Sequence, residues 1–307
     1  MNFNFQETEK IIEKLIKEKL VPLLSSDEMV ENICKEINSP FNFALGLDHI
    51  VASSYTRSFS SSLGTNLQSA SAEIAKIHGW KIINDSKTLN DGKVAIHGYY
   101  SDETRIVIDE IMSYIEKCNQ KNPLTFQYLE VAKTKILDKV LTTRGQETIR
   151  YADLPLMKEE NGIMTIANIE TKSGGDLDKG KAHSQRRESL ELFALIASKY
   201  KDKVLNRTLN LEIYFATLYN KTELLDGAKN WKSSSVRKNF IKEELLIGSD
   251  FWNYICNNQE AYKNVVSLYI KHSHNVKDEI EKLKDKVKPK LIGKITDYKD
   301  FYSNLTI

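Results

Sequence analysis

Long apolar runs, paired cysteines and proline are all scarce in this chain of 307 residues. No apolar stretch approaches the roughly 20 residues of a membrane-spanning helix, which argues against a transmembrane protein. The three cysteines, Cys34, Cys118 and Cys256, form no CxxC pair. We therefore expect reduced, buried thiols rather than a disulfide or zinc framework. The first ten residues lack the basic and then apolar order of a signal peptide, which predicts a cytoplasmic protein.

The composition that remains is that of a globular protein, with 41% hydrophobic and 28% charged residues. A chain of this length can bury a sizeable core. The net charge of +2 is small, but basic residues are concentrated in two stretches. Lys229–Lys242 holds five basic residues and no acidic one, and Thr171–Arg187 holds five basic residues against two aspartates. Such stretches can neutralise phosphate groups, although each is also compatible with a solvated surface.

Apolar spacing of three to four residues predicts helices over much of the chain. The first fifty residues are expected to be helical, with one helix that ends near Pro22. A second helix is predicted from about Ser54 to His78, and two more over 102–118 and 126–141. The chain is again expected to be helical from Phe251 to about Val287. We therefore predict an N-terminal helical segment over 1–50, a central domain over 51–250 and a C-terminal helical segment over 251–307.

The middle of the chain has a different pattern. Two apolar stretches flank the turn signal Glu159-Glu160-Asn161-Gly162, which predicts a β-hairpin. A short alternating stretch, Val94–Tyr100, predicts an edge strand. An amphipathic helix over 182–200 precedes Leu209–Tyr219, which is rich in β-branched and aromatic residues and therefore predicts another strand. This order indicates a parallel crossover and hence an α/β fold with a small mixed sheet.

The hairpin carries three residues with a chemical pattern. Asp153 opens its first strand, and Glu170 and Lys172 lie two apart near the end of its second strand. Residues two apart on a strand point to the same face, so these side chains can converge. Carboxylate oxygens are the ligands of hard cations such as Mg²⁺, and a neighbouring lysine can orient an attacking water. The pattern indicates metal-dependent phosphodiester hydrolysis, with Asp153 and Glu170 as metal ligands.

These residues carry a resemblance to a known superfamily. Ile169–Asp178, which reads IETKSGGDLD, resembles the active-site region of PD-(D/E)XK restriction endonucleases and is similar to a TdeIII-like subgroup of type II enzymes. Arg57–Gln68 and Glu244–Ile255 fit the same subgroup. The sequence departs from the superfamily pattern at Ala152, because a proline is expected before Asp153.

The resemblance implies a restriction-endonuclease-like core with helical additions at both ends. It also implies a Mg²⁺-dependent homodimer in a prokaryotic cytoplasm, which cuts double-stranded DNA at a short specific site and has a cognate methyltransferase. Related folds place an acidic residue from the first helix of the catalytic domain near the metal, and Glu73 is the candidate accessory acid here. The candidate DNA contacts are the basic residues Lys179, Lys181, Arg186, Lys232, Arg237 and Lys238.

Three alternatives stay open on the sequence alone. A nuclease of the same superfamily could serve DNA repair or junction resolution and cut by DNA structure rather than sequence. A non-catalytic DNA-binding or partner-binding module could carry Glu170 and Lys172 as a surface ion pair. A phosphate-binding loop over Gly175–Lys181 is the weakest of the three, because Ala182 stands where the Mg²⁺-binding hydroxyl should be.

Overall fold

The computed structural model describes residues 3–36, 64–83, 93–119, 121–172, 177–220, 231 and 233–303. They form two compact units, one of Met1–Asn4 with Ser71–Lys263 and the other of Phe5–Ala70 with Asn264–Ile307. The division of the sequence into three consecutive segments stays a prediction. Among the described residues, no helix combines the length and the hydropathy that a membrane span requires.

The strands are β1 (Lys81–Ile82), β2 (Val94–Tyr100), β3 (Gln146–Ala152), β4 (Leu154–Glu160), β5 (Ile163–Lys172), β6 (Leu209–Thr217) and β7 (Leu245–Ile247). The helices are α1 (Phe5–Lys14), α2 (Val21–Ser25), α3 (Asp27–Glu36), α4 (64–77), α5 (Asp102–Lys117), α6 (Phe126–Thr142), α7 (Lys179–Lys199), α8 (Lys201–Leu205), α9 (Ser234–Asn239), α10 (Ser249–Cys256), α11 (Ala261–His272) and α12 (His274–Ser303). A π-helical segment, Leu15–Leu20, joins α1 to α2.

A mixed five-stranded sheet in the order β1-β4-β5-β6-β7 forms the centre of the first unit. Strands β4 and β5 are the predicted hairpin, and Glu160 pairs with Ile163 across a two-residue turn. Asn161 and Gly162 both have positive φ, 53° and 77°, as a type I′ turn requires. Strands β5 and β6 are parallel and are joined through α7. The predicted hairpin, crossover and α/β class are therefore confirmed.

The predicted helices of this unit begin at side chains that cap their free N–H groups. Ser101 accepts a hydrogen bond from the Thr104 N–H at the start of α5, and Thr125 accepts one from Tyr128 at the start of α6. Asp178 caps α7 by accepting from the Lys181 N–H. Helices α5, α6 and α7 pack together on one face of the sheet, and their apolar residues form the main core with β5 and β6.

A separate two-stranded ribbon pairs β2 with β3 in antiparallel register and packs on α7. Strand β2 confirms the strand predicted over Val94–Tyr100, although its partner β3 was not predicted. The ribbon lies close to α7 at Gly98, where an added Cβ would stand 2.5 Å from the Leu195 carbonyl oxygen. Only glycine fits such an approach. Strand β3 ends at Ala152, so the ribbon leads directly to Asp153.

The second unit is helical in its described residues. Helix α3 packs against α12 through a small apolar core of Met29, Val30, Ile33, Leu283 and Val287. The prediction of a helix that ends near Pro22 was wrong by one turn, because Pro22 occupies the first turn of α2, where it needs no N–H partner. The last helix likewise passes Pro289 and continues to Ser303, beyond the predicted Val287.

Two further expectations concern this fold. Helix α4 covers the described part of the helix predicted over Ser54–His78, and Gly79 follows it with a φ of 94° that suits a helix end. Residues 54–63 of that prediction lie outside the described residues. The three cysteines are all buried and form no disulfide, as expected. Burial raises the pKa of the Cys256 thiol to about 12, so this cysteine is protonated and unreactive at neutral pH.

Candidate active site

Two junctions of the chain meet at one end of the central sheet. Asp153 is the single residue between β3 and β4, and it therefore links the ribbon to the sheet. Glu170 and Lys172 lie at the carboxyl end of β5. Leu154 pairs with Ile169, so the antiparallel register places Asp153 opposite Glu170 on the same face. The sequence-predicted trio thus comes together through one strand pairing.

The three side chains are in direct contact. The Lys172 ammonium donates to Glu170 Oε1 at 2.6 Å and lies 3.6 Å from Asp153 Oδ2. The backbone N–H of Thr171 donates to the same Asp153 oxygen at 3.0 Å, which fixes the carboxylate. The side chain of Asp153 is 3% exposed, that of Glu170 is 8% exposed and that of Lys172 is 29% exposed. Lys172 therefore lies between two buried acids and the solvent.

Burial and charge both change the acidity of Glu170. Burial raises the pKa of its carboxyl, and the neighbouring Asp153 charge raises it further; Lys172 lowers it, but the net result is a pKa of about 7. Burial lowers the pKa of Lys172, but Glu170 and Asp153 outweigh this effect and leave its pKa above the ordinary value. The lysine is therefore charged at neutral pH, while a second full negative charge beside Asp153 is costly.

This acidity predicts a pH effect on the stability of the metal-free protein. The pKa of Glu170 is about 7 in the folded protein against an ordinary 4.5. The folded state therefore retains the carboxyl proton up to a higher pH than the unfolded chain does. The contribution of Glu170 to stability is lost as the pH rises from about 4.5 through 7. In EDTA at pH 8, Glu170→Gln should therefore raise the free energy of unfolding by on the order of 3 kcal/mol, because the folded pKa lies about 2.5 above the ordinary value and one pKa unit corresponds to about 1.36 kcal/mol.

Urea unfolding of both proteins at pH 5 and pH 8 measures this difference. The exposed Glu159, at the other end of β4, provides the matched control, and Glu159→Gln should show no such pH-dependent gain. A Glu170→Gln protein that follows the wild type at both pH values would contradict the assigned pKa.

The chemistry of this cluster fits a divalent cation. Two buried carboxylates face each other, and a cation between them would relieve their repulsion. Among the described residues, no group of three or more His, Cys, Asp or Glu is placed to hold a metal. Two facing carboxylates suit Mg²⁺, which commonly binds through one or two carboxylates, several waters and substrate phosphates.

Comparison with family models decides the class to which the chain belongs. The family model described as type II restriction endonuclease, HinfI, matches residues 4–273. The chain belongs to the HinfI family of type II restriction endonucleases. Curated protein sequences gave no match. The enzyme is therefore a site-specific deoxyribonuclease, which excludes the non-catalytic module and the phosphate-binding-loop enzyme. Assignment to a TdeIII-like subgroup stays a prediction.

The HinfI-family chain places its candidate DNA contacts in different environments. Lys179 and Lys181 are exposed in the first turn of α7, which follows β5 and the site. Arg237 is exposed on α9, whereas Lys238 is half-buried and donates to the carbonyl oxygen of Glu116. Lys232 lies outside the described residues. The contacts of these residues with DNA stay predictions.

The candidate accessory acid, Glu73, lies on α4. Its side chain is exposed and accepts a hydrogen bond from Lys76 at 2.6 Å on the next turn. This is the contact expected of a surface helix pair. Its role at a metal stays a prediction.

Arg186 is buried, whereas its position in a basic stretch had predicted an exposed residue. Its side chain has no exposed surface and donates to Glu244 at 2.9 Å, and it lies over the ring of Phe240. Glu244 is itself buried and also faces Lys133 at 3.4 Å. The prediction that Arg186 contacts DNA is not supported by this placement, because the structure uses Arg186 as one half of an internal ion pair between α7 and the segment before β7.

This placement predicts a stability effect. Arg186→Met should lower the free energy of unfolding by about 3 kcal/mol, because removal of one partner leaves Glu244 buried with a weaker ion pair. Arg237→Met, at the exposed arginine of α9, should change it by less than about 0.5 kcal/mol. Urea unfolding measures both values. An Arg186→Met protein of unchanged stability but weakened DNA binding would restore Arg186 as a DNA contact.

One residue near the site, Lys93, was not predicted from the sequence. Lys93 immediately precedes β2, and its ammonium lies 3.8 Å from Asp153 Oδ1. Only the β2–β3 pairing brings it there, since Val94 pairs with Ala152 and the next residues in each direction are Lys93 and Asp153. Sixty residues separate the two in the chain, so no local motif could have indicated the contact.

Proposed function

We propose that this restriction endonuclease cleaves double-stranded DNA by Mg²⁺-dependent hydrolysis, with Asp153 and Glu170 as the metal ligands and Lys172 as the residue that positions the water. The observation that carries the proposal is the direct contact of all three side chains at one end of β5. Type II restriction endonucleases use divalent metal ions in general. A bound Mg²⁺ would supply charge neutralisation at the phosphate and acidification of a water.

Asp153 and Lys172 have different roles in this proposal. Asp153 is held through Oδ2 by the Thr171 N–H, while its second oxygen faces the Lys93 ammonium at 3.8 Å. Lys172 is charged and partly exposed, which allows its ammonium to donate to a water or to a phosphate oxygen. Attack of water on phosphorus forms one P–O bond and breaks the ester bond to the leaving oxygen, which ends as a hydroxyl. The other product is a phosphate monoester.

The assembly and the setting of the enzyme are also proposed. Two strands of a short symmetric site are most simply cut by a two-fold homodimer. We place the enzyme in the prokaryotic cytoplasm with a cognate methyltransferase as the protecting partner. Support for this setting comes from the restriction-endonuclease family and from three buried thiols that form no disulfide.

Incubation of the purified protein with a long linear DNA of known sequence tests the proposal. Parallel reactions contain Mg²⁺, Ca²⁺ or EDTA, and the products are separated on a gel. Discrete fragments in Mg²⁺ and intact DNA in EDTA are expected, and mapping of the fragment ends gives the site. Cleavage that continues in EDTA would contradict the metal requirement, and a smear would contradict cleavage at a short specific site and favour a nuclease that reads DNA structure.

A further inference from the structure

Lys93 gives the site a second ammonium group that comes from the ribbon rather than from the hairpin. Its Nζ lies 3.8 Å from Asp153 Oδ1, while the Lys172 Nζ lies 3.6 Å from Oδ2 of the same carboxylate. Each oxygen of Asp153 therefore faces one lysine. Among the described residues, the cluster balances the two carboxylates of Asp153 and Glu170 with the two ammonium groups of Lys93 and Lys172.

The two lysines differ in exposure and in strength of contact. The Lys93 side chain is 42% exposed and that of Lys172 is 29% exposed. Lys172 also donates a short hydrogen bond to Glu170, whereas the contact of Lys93 with Asp153 is longer than a hydrogen bond. A cation that binds Asp153 must take one of its oxygens. Both lysine contacts with Asp153 are longer than a hydrogen bond, but Oδ2 also accepts from the Thr171 N–H at 3.0 Å. A cation should therefore take Oδ1 and displace Lys93.

We propose that Lys93 is a phosphate-contacting residue, which leaves Asp153 when the cation binds and then donates to a backbone phosphate of DNA beside the cleaved bond. This inference rests on the proposed function of Asp153 as a metal ligand. The backbone of the substrate must approach Asp153 closely for cleavage, and phosphate oxygens are the groups that it presents to a lysine there. Lys93 is exposed enough to turn toward them, and a flexible four-carbon stem allows the movement.

Fluorescence anisotropy of a labelled duplex that contains the mapped site tests the phosphate contact. The Kd is measured in Ca²⁺ between 50 and 200 mM salt for the wild type, Lys93→Gln and Lys93→Arg. Loss of one phosphate contact should reduce the slope of log K against log salt by about 1 for Lys93→Gln. The slope should be retained by Lys93→Arg, because arginine keeps the charge.

Lys203→Gln is the matched control. Lys203 pairs with Glu159 at the opposite end of β4, at 3.3 Å, and its loss should leave the slope unchanged. A slope that is the same in Lys93→Gln and in the wild type would overturn the proposal. A slope reduced equally by Lys93→Gln and Lys203→Gln would also overturn it, because the effect would then be one of net charge alone.

Titration of Mn²⁺ into the DNA-free protein, followed by calorimetry, provides a second readout that does not depend on cleavage. Lys93 competes with a cation for Asp153 in the proposal, so Lys93→Gln should bind Mn²⁺ about 3- to 10-fold more tightly, as expected from loss of one nearby positive charge. A residue that only holds Asp153 in place would give weaker Mn²⁺ binding, and that result would overturn the proposal. If the wild type does not cleave DNA in Mg²⁺, the proposed function fails. If it cleaves while both Lys93 readouts are negative, only this inference fails.

Discussion

Replacement of Lys172 by alanine should lower the single-turnover rate of DNA cleavage by about 10²- to 10³-fold while DNA binding is retained. This is the cost of losing one donor that stabilises charge in the reaction. Lys172 touches both Asp153 and Glu170, so its charge acts where the reacting phosphate must lie. The rate is measured with enzyme in excess over DNA, and binding is measured by anisotropy in Ca²⁺.

Lys203→Ala is the control for this experiment, because Lys203 forms a lysine–carboxylate pair at the far end of the same hairpin. Its cleavage rate should equal that of the wild type. Cleavage at the wild-type rate by Lys172→Ala would show that the lysine is not part of the reaction. Loss of binding together with cleavage would instead assign Lys172 to DNA affinity, which also contradicts the proposed role.

Asp153→Asn should abolish measurable Mn²⁺ binding and lower the cleavage rate by about 10²- to 10³-fold, since neutralisation of charge by a bound metal provides several kcal/mol. Asparagine has nearly the shape of aspartate, and its carbonyl oxygen can still accept from the Thr171 N–H. The fold should therefore remain intact. Calorimetry measures the binding, and urea unfolding checks the fold.

The control variant is Glu159→Gln, which removes a carboxylate at the end of β4 opposite to the site. Mn²⁺ binding and cleavage should both be unchanged in it. Retained Mn²⁺ affinity in Asp153→Asn, with the fold intact, would remove Asp153 from the metal site. That outcome would leave Glu170 without the partner that the proposed chemistry requires.

Local patterns were sufficient to predict the elements that hold the trio. The Asn161-Gly162 turn, the apolar strand before Glu170 and the helix that follows Asp178 each have a short-range signal. Strand β3 lacked one, because Gln146–Ala152 is largely exposed and takes its register from β2. An exposed ribbon strand has neither a long apolar run nor a clear alternation.

Residues whose roles depend on distant partners could not be identified in the same way. Arg186 is buried only because Glu244, 58 residues away, is buried beside it. A basic residue in a basic stretch is most simply read as exposed, and the sequence gives no sign of its partner. Lys93 was missed for the same reason, since the β2–β3 register and not its neighbours in the chain brings it to Asp153.

The two-residue turn at Asn161 and Gly162 has a consequence for how the enzyme can be inactivated. The turn sets the pairing of β4 with β5, and the side chains of β5 alternate between opposite faces. Deletion of one residue within β5, with the turn kept, would bring Glu170 and Lys172 to the opposite surface of the sheet from Asp153. The Glu-x-Lys motif would still be recognisable in such a sequence, but the proposed site would be lost and the enzyme should be inactive. An intact motif should therefore indicate an active homologue only when the number of residues between Gly162 and Glu170 is also unchanged.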